Sequence, residues 1–564
     1  MNAKDILSIL AAASLLMGCK DDYLDVDYYS ILPGDYMFES EKTVNAGLTG
    51  CYDTFYPDKQ NTQNVGVLFM WNWNPTIFFA NNYTLDIYNG SDDGNVFDIW
   101  NPGHVNLRSL WGGYYTGINR CNFLLDGLAG MDASLFKEGE SGKSLIEAQA
   151  RMIRAIDYYG LVRNFGRVPL LVEGDTYNTC ADKPRCDSEE EVWNLIVSDC
   201  RRAAEVLDWT PEANQYGRVT KGTALAYQAK AEMYLKNYEE AKKLYKQIID
   251  SGVYELLPCY SYLFDVDRAW TKEDIWAIQM WTDNGNNKGG IDGWNAKEDH
   301  YMYACYNTAG QEYCGWGSLH ISYECYYSFE DGDRRRKASM VALGETNPFT
   351  GQTIGAGGQN TKKIGSGYKP NIYSIKYWRE ALDYWTVINS AFTLRHFRYA
   401  EAILDYAECC FRTGDDATGW EYVGMIRDRA WGNREIALSD PDYPIPMLVE
   451  QVTVPDAKTY YSDYRARKDY TADVWMVALT MERRHEFNSE YSLYYDMVRC
   501  GILPEFLEKE YPKNVGVPNS DPSARDDWHL YRDFDYIPRT LFPIPQYEID
   551  NNEAISESDQ NPGY

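Results

Sequence analysis

Histidine is scarce in this chain, with six in 564 residues, and no two cysteines form a C-x-x-C pair. The common zinc spacings are therefore excluded. His485-Glu486 opens an H-E-x-x pattern, but Ser489 stands where a metalloprotease helix needs its second histidine. No G-x-S-x-G elbow occurs, and Gly355-Ala356-Gly357-Gly358 neither follows a strand-like run nor opens a helix. Asp283 to Asn287 lacks the spacing of an EF-hand loop. No metal and no cofactor is expected. Positive charge is also short, since 54 Lys and Arg face 84 Asp and Glu for a net charge of -30. Nucleic acid and anionic membrane surfaces need clustered basic residues, so neither is an expected partner. Past residue 16 no apolar run approaches the roughly 20 residues of a spanning helix.

What is present begins at the N-terminus. Lys4 precedes an apolar run from Ile6 to Leu16, the length of a secretory core and too short for a permanent span. Leu16-Met17-Gly18-Cys19 then resembles the lipobox of bacterial lipoproteins. That resemblance implies a signal peptide over 1–18, lipidation of Cys19 and a mature chain starting there. Two or more acyl chains, at about 0.8 kcal/mol per buried methylene, anchor a protein without spanning the membrane. Lys20-Asp21-Asp22 resembles the acidic signal that sends Bacteroidetes lipoproteins to the cell surface.

Aromatic residues are plentiful: Tyr 48, Trp 17 and Phe 19 make up 15% of the chain. Such rings serve equally in helix packing and in flat exposed platforms. Helical periodicity predicts helices over Leu145 to Phe165, Glu190 to Leu207 with Asp187 or Ser188 as N-cap, Thr223 to Leu235, and Tyr238 to Ile249. The last two form a pair across a very short turn, with small residues and aromatics alternating as in a tetratricopeptide unit. Helical pattern returns between 396 and 430. Two stretches differ in texture: Val65 to Trp111, and 255–395, where Gly, Asn, Asp and Trp dominate and loops are expected. Twelve cysteines besides Cys19 show no regular spacing. Cys180 and Cys186 are placed to close a small loop, without establishing a disulfide framework.

Taken in order, several segments resemble the SusD/RagB family of surface glycan-binding lipoproteins. They include Cys19-Lys20-Asp21-Asp22-Tyr23-Leu24-Asp25, Trp111 to Asn122, Arg154 to Tyr159 with Phe165 to Leu170, Gly217 to Gly222, and Glu330 to Arg335. Arg398-Tyr399-Ala400-Glu401 with Tyr406-Ala407-Glu408, Ile426 to Ala430, Glu482 to Phe487 with Asp496 to Arg499, Phe542 to Ile549, and Gln560 to Tyr564 follow. The chain departs from the pattern at Tyr491, Leu493 and Trp431. Arg398, Glu401, Glu482, Arg483 and Arg484 read as structural, because buried charges persist only when paired.

The resemblance implies a mainly α SusD-like fold, with tetratricopeptide-type helix pairs as scaffold and a loop-rich ligand-binding subdomain. It divides the chain into a signal peptide (1–18), an N-terminal helical region (19–250) and a C-terminal region (251–564). It further implies a non-catalytic protein of the outer membrane, facing outward on its lipid anchor. Such a protein captures an oligosaccharide or polysaccharide and passes it to a SusC-like TonB-dependent transporter. Candidate ligand contacts are Trp71, Asn72, Trp73, Tyr83, Tyr88, Asp92, Trp100 and Asn101 in the first loop stretch. Trp281, Asn284, Trp294, Tyr301 and Trp316 are their counterparts in the second, with Asn295 and Tyr303 beside them. Two other readings stay open: a RagB-like carrier of peptides or glycopeptides, and a glycoside hydrolase, because counting 84 acids does not reveal a pair across a cleft.

Overall fold

Capping chemistry sets where the long helices begin and end. Thr220 and Thr223 form a capping box ahead of Lys221–Tyr234, and Ser40 and Thr43 do the same ahead of Glu41–Asp53. The first free N–H groups of each helix are thus met by side chains. Gly432 (φ 82°) ends Asp416–Trp431 in the left-handed conformation, which costs glycine little.

The computed structural model describes residues 34–55, 81, 83–88, 101–175, 182–212, 215–265, 270–279, 320–342, 344–353, 363–364, 367–368, 372–379, 393–432, 452–511 and 540–564. Its longer helices are α1 (Glu41–Asp53), α2 (Val105–Ala129), α3 (Glu140–Phe165), α4 (Glu189–Val206), α5 (Lys221–Tyr234) and α6 (Tyr238–Asp250). They continue as α7 (Tyr399–Arg412), α8 (Asp416–Trp431), α9 (Ala457–Lys468), α10 (Val474–Phe487), α11 (Leu493–Cys500) and α12 (Leu503–Glu510). Each packs on its successor, even across the long insertion between α6 and α7, and α10 also reaches α7 and α8. This sequential stacking makes a mainly α scaffold and is consistent with tetratricopeptide-type pairing.

Short strands occupy the insertion, and one more, β1 (Ile87–Tyr88), lies between α1 and α2. β1, β3 (His320–Ile321), β7 (Ile372–Ser374) and β4 (Met340–Ala342) form an antiparallel sheet in the order β1-β3-β7-β4. β2 (Asp274–Ile278) pairs with β8 (Leu394–Arg398), and β5 (Lys363–Ile364) with β6 (Gly367–Tyr368). One apolar cluster runs from Val44 to Ile555 and joins residues on both sides of position 250. A smaller one gathers Leu257, Tyr260, Leu263, Phe264 and Ala338.

The four helices expected from periodicity in the first half are present within a few residues of their expected ends, α3 beginning earlier, at Glu140. Helices α9 to α12 did not announce themselves by period. The departures are absorbed locally: Tyr491 is buried and stacks on His396 at 4.2 Å, and Leu493 is buried. Trp431 is buried beneath the Arg427 guanidinium, 4.8 Å from the ring centroid. Cys186 is a free thiol. Among the described residues no helix is long and apolar enough to cross a membrane.

Candidate functional site

Strand pairing joins the described ends of the two aromatic stretches. β1 and β3 run antiparallel with Ile87 opposite Ile321 and Tyr88 opposite His320. Directly opposed residues lie about 5 Å apart. Tyr88 is the last described residue before 89–100, and His320 the first after 280–319. The chain therefore leaves for one stretch and returns from the other at neighbouring points on one sheet.

A buried polar knot fastens that base to the helical scaffold. The backbone N–H of Ser322 donates to the Asp86 carbonyl at 2.8 Å. The Asp86 carboxylate accepts from Arg484 at 2.6 Å and from the Tyr511 hydroxyl at 2.6 Å. Tyr511 also meets the Ser322 hydroxyl at 2.9 Å. Burial pushes the Asp86 carboxyl up from its ordinary value, against the pull of Arg484. Asn81 adds a second tie, donating to the Glu490 carbonyl at 2.7 Å and accepting from the Ser489 N–H at 3.0 Å. Leu85 and Ser489 both hold φ of 61°, a left-handed conformation that non-glycine residues adopt only under surrounding constraint.

Three of the sequence-stretch candidates fall on described residues. Tyr83 is a correction: it is fully buried, with its ring 5.5 Å from Tyr494 and 5.9 Å from Phe542, so it packs in the core instead of facing a ligand. Asn101 is exposed, and its side chain accepts from the Gly103 N–H at 2.9 Å, shaping the turn before α2. Tyr88 lies in β1. Cys19, Trp71, Asn72, Trp73, Asp92, Trp100, Trp281, Asn284, Trp294, Asn295, Tyr301, Tyr303 and Trp316 lie outside the described residues, as do Asp283 to Asn287 and Cys180.

Two exposed rings that the sequence reading missed lie near the strands, one after β3 and one beside the end of β2, which belongs to a different sheet. Tyr327 is 50% exposed and stacks on Tyr323 at 6.3 Å, directly after β3. Tyr216 is 55% exposed, lies 5.8 Å from Trp270, and adjoins Gly217, whose neighbours are Gln279 and Ala277 at the end of β2. The cluster Tyr323-Glu324-Cys325-Tyr326-Tyr327 was the available signal for the first. Nothing in the sequence singled out the second.

The charged motifs are scaffold. Arg398 contacts Glu273 at 2.8 Å, Glu486 at 2.6 Å and Glu490 at 2.8 Å, all buried. Glu482 joins Arg335 at 2.8 Å to Arg427 at 2.9 Å. Arg483 reaches Asp405 and Glu408, both at 2.8 Å, while Glu401 meets Lys230 at 2.9 Å. Burial alone would raise the Glu486 carboxyl, but Arg429, Arg398 and Arg335 hold it well below the usual range. His485 is buried, stacks on Phe329 at 4.2 Å and pairs with the Ser328 hydroxyl at 2.9 Å; burial pushes its pKa down. Among the described residues no cluster of His, Cys, Asp and Glu is arranged to hold a metal ion.

Comparison with known families settles the lineage. A model described as the SusD family matches residues 262–564, and one described as "Starch-binding associating with outer membrane" matches 22–235. The chain belongs to the SusD family. A SusD-like protein from Formosa agariphila is 22% identical over 99% of both chains, and one from Bacteroides ovatus is 22% identical over 70% of this chain and 65% of its own. Among solved structures, surface glycan-binding protein A from Bacteroides fluxus shares the fold with a TM-score of 0.62 and 21% identity, covering 93% of this chain and 100% of that one. A laminarin-binding SusD-like protein aligns with a TM-score of 0.62, 20% identity and the same coverage. A SusD-like protein from Bacteroides fragilis gives 0.66 and 21% over 94% of this chain and 98% of that one.

Proposed function

We propose that this SusD-family protein is a non-catalytic glycan-binding lipoprotein of the outer membrane, anchored through Cys19. It captures an oligosaccharide or polysaccharide at the cell surface and passes it to a SusC-like TonB-dependent transporter. The observation that carries the reading is the Tyr88–His320 pairing, which sets the described ends of the two aromatic-rich stretches opposite each other. Rings on adjacent loops present flat faces to the C–H-rich faces of sugars, each contact adding about 0.5–1.5 kcal/mol beyond its area. Relatives named for laminarin or surface glycan binding support the ligand class. Weak capture suffices when a multi-unit ligand is held near a pore, because its local concentration there is raised.

Isothermal titration against starch, laminarin and a wider set of soluble polysaccharides tests this reading. Saturable binding without release of shorter products is expected. Replacing Trp71, Trp73, Trp294 or Trp316 by Ala is expected to weaken binding, with Tyr327→Ala acting more mildly. Turnover abolished by removing one carboxylate, or binding confined to oligopeptides, would sink it. Cys19→Ala is expected to release the protein from the envelope, and co-purification of a barrel from native membranes tests the partner.

A further inference from the structure

Arg163, near the end of α3, is a cation without a counter-ion. It makes no ion pair among the described residues, its Nε has no hydrogen-bond partner, and its guanidinium lies 4.0 Å over the Tyr495 ring and 4.7 Å over that of Tyr159. The ring faces offset part of the charge but supply no hydrogen-bond acceptor in their plane. The neighbouring ionic cluster does not make up the difference. There, Lys230, Arg412, Arg483 and Arg499 are matched one for one by Glu401, Asp405, Glu408 and Asp496.

Arg163, itself half-buried, faces a small, partly open pocket between α3, α5, β8 and the start of α11, lined also by Tyr114, Gly160, His396 and Glu401. Its room is that of about one or two water-sized species. Two further polar groups line it: the Tyr114 hydroxyl, on a buried ring, whose oxygen accepts from Arg163, and Nε2 of His396, which has no hydrogen-bond partner. Burial holds His396 neutral by lowering its pKa to about 3. The guanidinium only donates, the tyrosine hydroxyl has a proton to give, and so has the imidazole in the Nε2–H tautomer. Gly160 makes the arrangement possible, since a Cβ there would meet the Tyr114 ring at 2.3 Å. Glu401 shares the cavity, but its carboxylate is engaged by Lys230 at 2.9 Å.

Donors lining one small pocket beside a guanidinium with no ion-pair partner favour an acceptor that carries negative charge and gives no proton back. We propose that this cavity is a structural site for a single small anion of halide size, held by Arg163 with Tyr114 and His396, that locks α3 against β8. The site lies in the scaffold and is independent of the glycan reading.

Crystals of the purified protein soaked in sodium bromide, with data collected at the bromine edge, test the site directly. An anomalous peak within hydrogen-bonding distance of the Arg163 guanidinium is expected. In parallel, thermal unfolding is compared at fixed ionic strength in chloride and in gluconate, which is too large to enter. The wild-type midpoint should be higher in chloride, and Arg163→Met should abolish the difference. Ordinary water in the cavity without an anomalous peak would overturn the proposal, as would a chloride effect that persists in R163M. If R163M does not fold, the bromide experiment on the unaltered protein still decides.

Discussion

Helices α5 and α6 on one side and α10 on the other both build the core, α6 through one face only, yet different chemistry buries them. In α5 the core residues are small, with Ala224, Ala226, Ala229 and Ala231 fully buried, while α6 offers Ala241, Leu244, Tyr245 and Ile248 on one stripe. Helix α10 is buried without a break from Val477 to Phe487, and five of those eleven residues are Glu482, Arg483, Arg484, His485 and Glu486. The first pair is held mainly by interdigitated apolar surface, with Lys230 of α5 a buried ionic link to the carboxylates that Arg483 also meets. The second is held by ion pairs that surround the helix on all sides, each of which must be complete because a stranded charge in the interior is costly. The apolar stack should tolerate gradual change; the ionic centre should fail abruptly.

The largest effect is therefore expected at Glu486. Its carboxylate is shared by Arg398 at 2.6 Å, Arg335 at 3.2 Å and Arg429. Glu486→Ala removes a shared carboxylate from three buried guanidinium groups, which keep Glu273, Glu490, Asp333 and Glu482, and should lower the unfolding free energy by about 3–5 kcal/mol in urea titration. A loss below about 1 kcal/mol would show that the network is not what holds α10. Ile248→Ala opens a cavity in the apolar stack, where Ile248 is fully buried, and should cost about 2–4 kcal/mol by the same measurement.

This contrast also explains what could be read in advance. The stripe in α6 and the small-residue run in α5 have helical period, so their helices were legible within a few residues. Helix α10 has none, because Thr480 and the five charged or polar residues after Met481 face inward as fully as Val477 or Leu479. Charge on every face hides a buried helix from any reading that equates polarity with solvent. The pairing need of Arg398, Glu482, Arg483 and Arg484 was foreseeable, but the partners Glu273, Asp86 and Glu510 are far apart in sequence and come together only in the fold. In the candidate site the aromatic stretches were legible by composition. Their junction at Tyr88 and His320 was not, since two-residue strands leave no period, and Tyr83 was misread because a ring's sequence neighbours do not reveal its burial.

Acid should separate the two regions further. Glu482, Glu486, Glu490 and Glu510 are all favoured by burial to rise, but their arginine and lysine partners prevail and lower each below its ordinary value. Below about pH 4.5 the unfolded chain binds protons that these folded carboxylates refuse, so their contribution is present above that pH and is lost as pH falls. His396 acts in the same direction from about pH 6.5 downward, because burial holds its folded pKa near 3. The urea midpoint should thus decline below about pH 4.5; between pH 7 and 4.5 Glu401, raised to about 7 by burial, opposes His396. Glu486→Gln should flatten the part of the decline below pH 4.5, and Ile248→Ala should shift the curve down without changing its slope. Parallel curves for wild type and E486Q would break the comparison.

The smallest test concerns the entrance to the apolar stack. Thr220 accepts from the Thr223 N–H at 3.3 Å, and its own N–H donates to the Thr223 hydroxyl at 3.1 Å. That hydroxyl in turn donates to the Ile275 carbonyl of β2 at 2.9 Å, tying the helix start to the strand that leads toward the second aromatic stretch. Thr220→Ala removes the cap acceptor and leaves the bridge to β2 in place, so a loss of about 1 kcal/mol is expected. Thr220→Ser retains the oxygen and should restore most of it. Because the cap lies within the apolar stack, neither variant should alter the acid dependence; a changed slope in T220A would mean that the stack and the ionic centre are coupled through the shared core and not separately held.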